Sequence, residues 1–175
     1  MTVRGFIRPK IDGIVTSYFE WNQAAYLDVG KSGGSMHMTE SLLSRVYYGF
    51  NKDYLFIRVD PKTPFHGFAE NSVLSIEIIR PHPYRIDIPL QRAGGTKLFS
   101  RADHEWNEVK EITDVAIADV LECAILFQDV QAREHDELNI SLSIKREGGE
   151  VERCPWRGYI TVTVPTPDFE AMMWY

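Results

Sequence analysis

Val73-Leu74-Ser75-Ile76-Glu77-Ile78-Ile79-Arg80-Pro81-His82-Pro83-Tyr84-Arg85-Ile86-Asp87-Ile88-Pro89-Leu90 decides the fold class of this chain. Leu74, Ile76 and Ile78 alternate with Ser75 and Glu77, and after Arg80-Pro81-His82-Pro83 the same beat resumes as Ile86, Ile88 and Leu90 against Arg85 and Asp87. Successive side chains of an extended chain point to opposite faces, so each run reads as a strand with one apolar side, and the proline-rich link reads as the turn between them. A slip of one residue in either strand would turn its whole apolar set to water.

Working outward, the same spacing recurs and helical spacing almost never does. Leu55, Ile57 and Val59 alternate with Phe56 and Arg58; Ile140, Leu142 and Ile144 with Ser141 and Ser143; Ile160, Val162 and Val164 with Thr161 and Thr163. Turn signals fall between the runs, at Gly49-Phe50-Asn51-Lys52-Asp53, Ala93-Gly94-Gly95-Thr96 and Glu147-Gly148-Gly149-Glu150. Val115 to Phe127 is nearly all apolar, and its β-branched content favours two short buried strands over a helix. Gln23 to His37, with Gly30, Gly33 and Gly34, reads as a long connection over one end. About ten short strands with turns between them predict an all-β antiparallel two-sheet sandwich of jelly-roll or immunoglobulin-like type.

The length of 175 residues suits one domain, here residues 1–175. With 44% hydrophobic and 25% charged residues the chain has enough apolar matter for a core, which excludes a disordered or low-complexity protein. Nineteen Lys and Arg against 25 Asp and Glu leave a net charge of −6, and no basic cluster offsets it, so nucleic acid is not an expected partner. No apolar run is long enough to cross a bilayer, and Met1-Thr2-Val3-Arg4-Gly5 has no apolar stretch behind its charge, so neither a membrane span nor a leader peptide is expected and a cytoplasmic location is. Cys123 and Cys154 have no metal-type spacing and read as small buried hydrophobes.

Several segments resemble a known family. Ile11-Asp12-Gly13, Ser17-Tyr18-Phe19-Glu20-Trp21, Ser32-Gly33-Gly34-Ser35-Met36-His37 and Val46-Tyr47-Tyr48-Gly49-Phe50 are similar to the accessory C-terminal β-sandwich of family-57 glycoside hydrolases. Leu121-Glu122-Cys123-Ala124-Ile125, Glu152-Arg153-Cys154-Pro155-Trp156 and the ending Val164-Pro165 with Asp168-Phe169-Glu170-Ala171 extend the resemblance along the chain. It implies membership of the DOMON-like and family-9 carbohydrate-binding-module superfamily, whose antiparallel sandwiches bind sugars or, in some branches, haem. It also implies a non-catalytic module related to α-glucans that works beside a glycoside hydrolase catalytic domain.

Sugar binding needs flat aromatic faces for pyranose rings and polar groups for hydroxyls. Trp106, in the polar run His104-Glu105-Trp106-Asn107-Glu108, lacks apolar neighbours and is the leading exposed candidate. Tyr18 and Tyr26 flank the glycine-rich connection, Trp21 stands beside Glu20, and His37 follows a double glycine. The resemblance implies that Trp21 packs into the core, and each tyrosine serves equally as a packing residue. His37 between Met36 and Met38 offers haem-type ligands, but adjacent side chains on an extended chain point apart and cannot clamp one iron, which leaves haem a remote alternative.

Hydrolysis would need two carboxylates across a cleft, and the acids Glu20, Glu40, Asp60, Glu70, Glu77, Asp87 and Glu122 are plentiful without a pattern that pairs them. Glu122, in its apolar strand, is expected to form a buried ion pair with Arg153. Asn51-Lys52-Asp53 and Asp60-Pro61 are candidate calcium loops that serve equally as turns. No nucleophile elbow, catalytic triad or phosphate loop is spelled out, and no other cofactor is expected. The alternative from a different class is a structural or protein-interaction domain that binds no sugar.

Overall fold

The alternation around Ile76 and Ile86 becomes two neighbouring strands at the centre of a sheet. The computed structural model describes residues 2–29 and 41–173. Among them are β1 (Ala25–Asp28), β2 (Leu43–Phe50), β3 (Tyr54–Pro61), β4 (Ser72–Arg80), β5 (Tyr84–Pro89) and β6 (Lys97–Ala102). They are followed by β7 (Glu105–Glu111), β8 (Val115–Ile117), β9 (Leu121–Leu126), β10 (Glu137–Arg146), β11 (Gly149–Cys154) and β12 (Ile160–Thr163). Single helical turns are described at Tyr18–Trp21, Phe65–Gly67, Gln128–Val130 and Phe169–Met172.

The strands form two antiparallel sheets. One has five strands in the order β1-β2-β3-β9-β8; the other has seven, β11-β10-β4-β5-β6-β7, with β12 also paired to β10. β12 and β11 share one edge of β10, β12 along Glu137 to Ile140 and β11 along Leu142 to Arg146. Ile76, Ile78, Ile86, Ile88 and Leu142 from the larger sheet meet Leu55, Ile57, Leu121 and Ile125 from the smaller, each at most 1% exposed. Burying one such side chain contributes about 1.5–3 kcal/mol, so the period-two pattern is the main source of stability. Val115–Phe127 forms two strands, as its composition suggests, and both cysteines are buried. Burial pushes each thiol up to about 12, which keeps both unreactive in the folded chain.

Three expectations need correction. Twelve strands are described rather than about ten, because β1 occupies the start of the supposed long connection and the edge hairpin β6–β7 carries little alternation. The outer face of the five-stranded sheet is not wet: the N-terminal segment lies over it, and Ile7, Trp21 and Ala24 form a second small core with Phe56 and Ala124. That is why Phe56, placed outward by its alternation with Leu55 and Ile57, is only 5% exposed. Finally, Glu122 does not pair with Arg153.

Glu122 is fully buried, and its partners come from the covering segment. Its Oε1 accepts hydrogen bonds from the backbone N–H of Gly13 at 2.8 Å and of Asp12 at 3.2 Å, and its Oε2 accepts one from Trp21 Nε1 at 3.1 Å. Arg153, on β11 of the opposite sheet, donates instead to the carbonyls of Pro155 and Gly158. A carboxylate is tolerated in this apolar strand because three N–H groups converge on it, which replaces water without a counter-ion. A second carboxylate joins the sheets: Glu152 of β11 accepts from the N–H of Leu42 at 2.8 Å and of Leu43 at 3.0 Å, where β2 begins.

Candidate functional site

The two outer faces differ. On the five-stranded sheet, beside the covered part, the Arg45 guanidinium lies 4.2 Å over the Tyr26 ring and that of Arg58 4.3 Å over the Tyr47 ring. Arg45 Nε donates to Asp28 at 2.7 Å and Arg45 Nη1 to the Tyr47 hydroxyl at 3.1 Å; Arg58 holds Asp60 with two bonds of 2.7 and 2.8 Å. The bonds to Tyr47 and Asp28 raise the Arg45 pKa above its ordinary value, so this ladder stays charged and closed upon itself. Tyr26 is half-buried inside it.

On the seven-stranded sheet, alternation and register turn a continuous set of polar side chains outward. Ser141 of β10, Glu77 of β4, Arg85 of β5, Phe99 of β6 and Glu108 of β7 stand in one row across the strands. Ser143, Ser75, Asp87 and Lys97 make the next row. Trp106 of β7 pairs with Arg101 of β6, one step beyond Phe99. The Arg85 guanidinium is 4.6 Å from the centre of the Phe99 ring and 4.7 Å from that of Trp106, and Arg101 lies 5.7 Å from Trp106. Arg85 is fixed by Asp87, with Nε 3.0 Å from Oδ1, and Asp87 in turn accepts from the Ser75 hydroxyl at 2.7 Å. The aromatic rings are therefore held by a chain of bonds that runs back to the centre of the sheet.

Trp106 is thus placed as a half-buried ring braced by two arginines, rather than the freely exposed ring its polar neighbours suggest. Its partners Phe99 and Arg85 are not legible as a site in the sequence, since only the register of β5, β6 and β7 brings them together. Tyr18 is 79% exposed and meets Phe19 edge-on at 5.8 Å, on the N-terminal segment. Trp21 is 4% exposed and belongs to the small core, 6.3 Å from the Tyr47 ring. His37 lies outside the described residues, as do Met36, Met38 and Glu40. Trp21 and Tyr26 both neighbour Tyr47, whereas Trp106 is on the other sheet, so the candidates do not share one face of the sandwich.

The acids are dispersed as well. Asp60 is on β3 in the grip of Arg58, and the Asn51 side-chain Oδ1 accepts from the N–H of Asp53 and Tyr54 as a turn cap, so both candidate calcium loops have other work. Glu20 accepts from the Lys10 N–H at 3.3 Å. Glu70 lines a cleft of about 860 Å³ with His66 and Asp119, where the connections after β3, β5 and β8 meet. Among the described residues no three His, Cys, Asp or Glu side chains are grouped to hold a metal ion, and no helix is long and apolar enough to cross a membrane. No family model and no curated protein matches the chain.

Proposed function

We propose that this domain is a non-catalytic carbohydrate-binding module that holds an α-glucan against the outer face of its seven-stranded sheet, beside a glycoside hydrolase catalytic domain. The observation that carries the reading is the braced aromatic pair Phe99 and Trp106 standing next to half-buried carboxylate and guanidinium groups. Aromatic faces stack on the C–H side of pyranose rings, and the half-buried Glu77, Asp87 and Arg85 supply acceptors and donors that hydroxyl groups require. Fixing the rings in advance lowers the ordering cost of binding. The α-glucan follows from the resemblance of the sequence to family-57 accessory sandwiches.

The test is migration in native gels containing glycogen or soluble starch. Wild-type protein is expected to be retarded, and Trp106→Ala to run as in a gel without polysaccharide. Unretarded wild type on every polysaccharide tried would contradict the reading. A second reading rests on a separate observation: Ile14, Val15, Tyr18 and Phe19 are 45%, 39%, 79% and 77% exposed, an apolar strip on the N-terminal segment. Such a strip suits contact with another protein surface and belongs to a domain that binds no sugar.

A further inference from the structure

The row that contains Phe99 does not end at the centre of the sheet. Tyr159 precedes Ile160, which pairs with Ile140 of β10, and Ile140 points into the core. Tyr159 lies one residue before β12, and extending the strand's alternation by that residue would turn it outward on the side of Ser141, toward the row of Glu77, Arg85 and Phe99. Its ring is 49% exposed, and the Arg153 guanidinium lies 5.5 Å from its centre. Arg153 also pairs across β10 with Ser143, which puts it on the same outer face. Through its bonds to the carbonyls of Pro155 and Gly158, Arg153 fixes the connection that presents Tyr159. This is the device seen around Trp106, an aromatic ring braced by an arginine that is itself anchored, repeated at the opposite margin of the sheet.

We infer that Tyr159 is a second sugar-stacking position, and that the ligand is an extended glycan chain lying across the strands from Tyr159 to Phe99 and Trp106. The inference rests on the carbohydrate-binding reading and adds the ligand's length and direction. From the β12 edge to β6 is four strand spacings in the sheet order, about 19 Å at about 4.8 Å per strand. Between the rings the half-buried Glu77 and Arg85 line the path and offer an acceptor and donors, over a buried Ser141. A disaccharide is too short to reach both rings, whereas a chain of several glucose units engages both and gains from the second contact as a tethered event.

The experiment is calorimetric titration of the wild type, Tyr159→Ala, Tyr159→Phe and Trp106→Ala with maltose and with maltoheptaose. Wild type is expected to bind maltoheptaose at least tenfold more tightly than maltose. Tyr159→Ala should weaken maltoheptaose about tenfold, the scale of one lost ring contact, and leave maltose unchanged; Tyr159→Phe, which keeps the stacking face, should bind as wild type does. If Tyr159→Ala binds maltoheptaose like the wild type while Trp106→Ala does not, the second position is wrong and the carbohydrate-binding reading stands. Wild type that binds neither sugar overturns both. Circular dichroism of each variant separates loss of binding from loss of fold.

Discussion

Gly13 shows how much one residue can decide in this fold. It sits at φ +77°, its N–H donates to Glu122, and its carbonyl accepts from Val120, all where the N-terminal segment crosses the β8–β9 turn. A Cβ there would lie 2.7 Å from the Ala118 nitrogen, a backbone atom that cannot step aside. Gly13→Ala should therefore destabilise the chain by about 1–3 kcal/mol from backbone strain alone, read as a lower urea midpoint with an unchanged slope; an unshifted midpoint would contradict this account. Glu122, its partner, carries a pH signature. Burial raises its pKa above 4.5, opposed by the N–H donors of Gly13, Trp21 and Asp12. The folded chain then holds that proton more tightly than the unfolded chain. The stability this contributes is fully present below the ordinary carboxylate range and is lost as pH rises through the raised value. Relative to the non-titrating Glu122→Gln, wild-type stability should fall as pH rises from about 4 toward neutrality, and urea melts across that range with a constant difference would show the assignment to be wrong.

At the scale of elements, legibility followed burial. β4, β5, β10 and β12 announce themselves because each has one face in the core and one in water, so the pleat is written directly into Leu74-Ser75-Ile76-Glu77-Ile78 and its counterparts. The hairpin β6–β7 does not, since it overhangs the core and Leu98 is its only fully buried side chain. Yet this hairpin carries Phe99 and Trp106, so the proposed site lies where the periodic signal is weakest. The N-terminal cover was hidden for a different reason: outside its single turn at Tyr18–Trp21 it has no regular structure and hence no period, and its trace in the alternation is Phe56 standing where a wet-face residue belongs. The ion pair expected between Glu122 and Arg153 failed because charge complementarity says nothing about backbone donors, which have no signature in a sequence. Ile76, at the centre of β4 and fully buried, tests the legible part: Ile76→Ala should cost about 2–5 kcal/mol in chemical denaturation, and a loss below about 1 kcal/mol would mean that the centre of the core is elsewhere.

For the molecule as a whole, the two sheets have opposite assignments. The five-stranded sheet is sealed by the N-terminal segment and by the closed ladder of Tyr26, Arg45, Tyr47 and Arg58, so its outer face is spent on the fold. The seven-stranded sheet keeps the charged side chains of its outer rows at least partly exposed over a buried Ser75 and Ser141, with braced aromatic rings toward both margins. The most direct test of sugar binding on that face is a titration of isotope-labelled protein with maltoheptaose, followed by amide and indole nuclear magnetic resonance. The account predicts movement of the Trp106 indole signal and of the amides around Arg85 and Phe99, with the Trp21 indole, bonded to Glu122 beneath the N-terminal segment, standing still. A spectrum that does not change, or changes confined to the five-stranded sheet and its N-terminal cover, would contradict it.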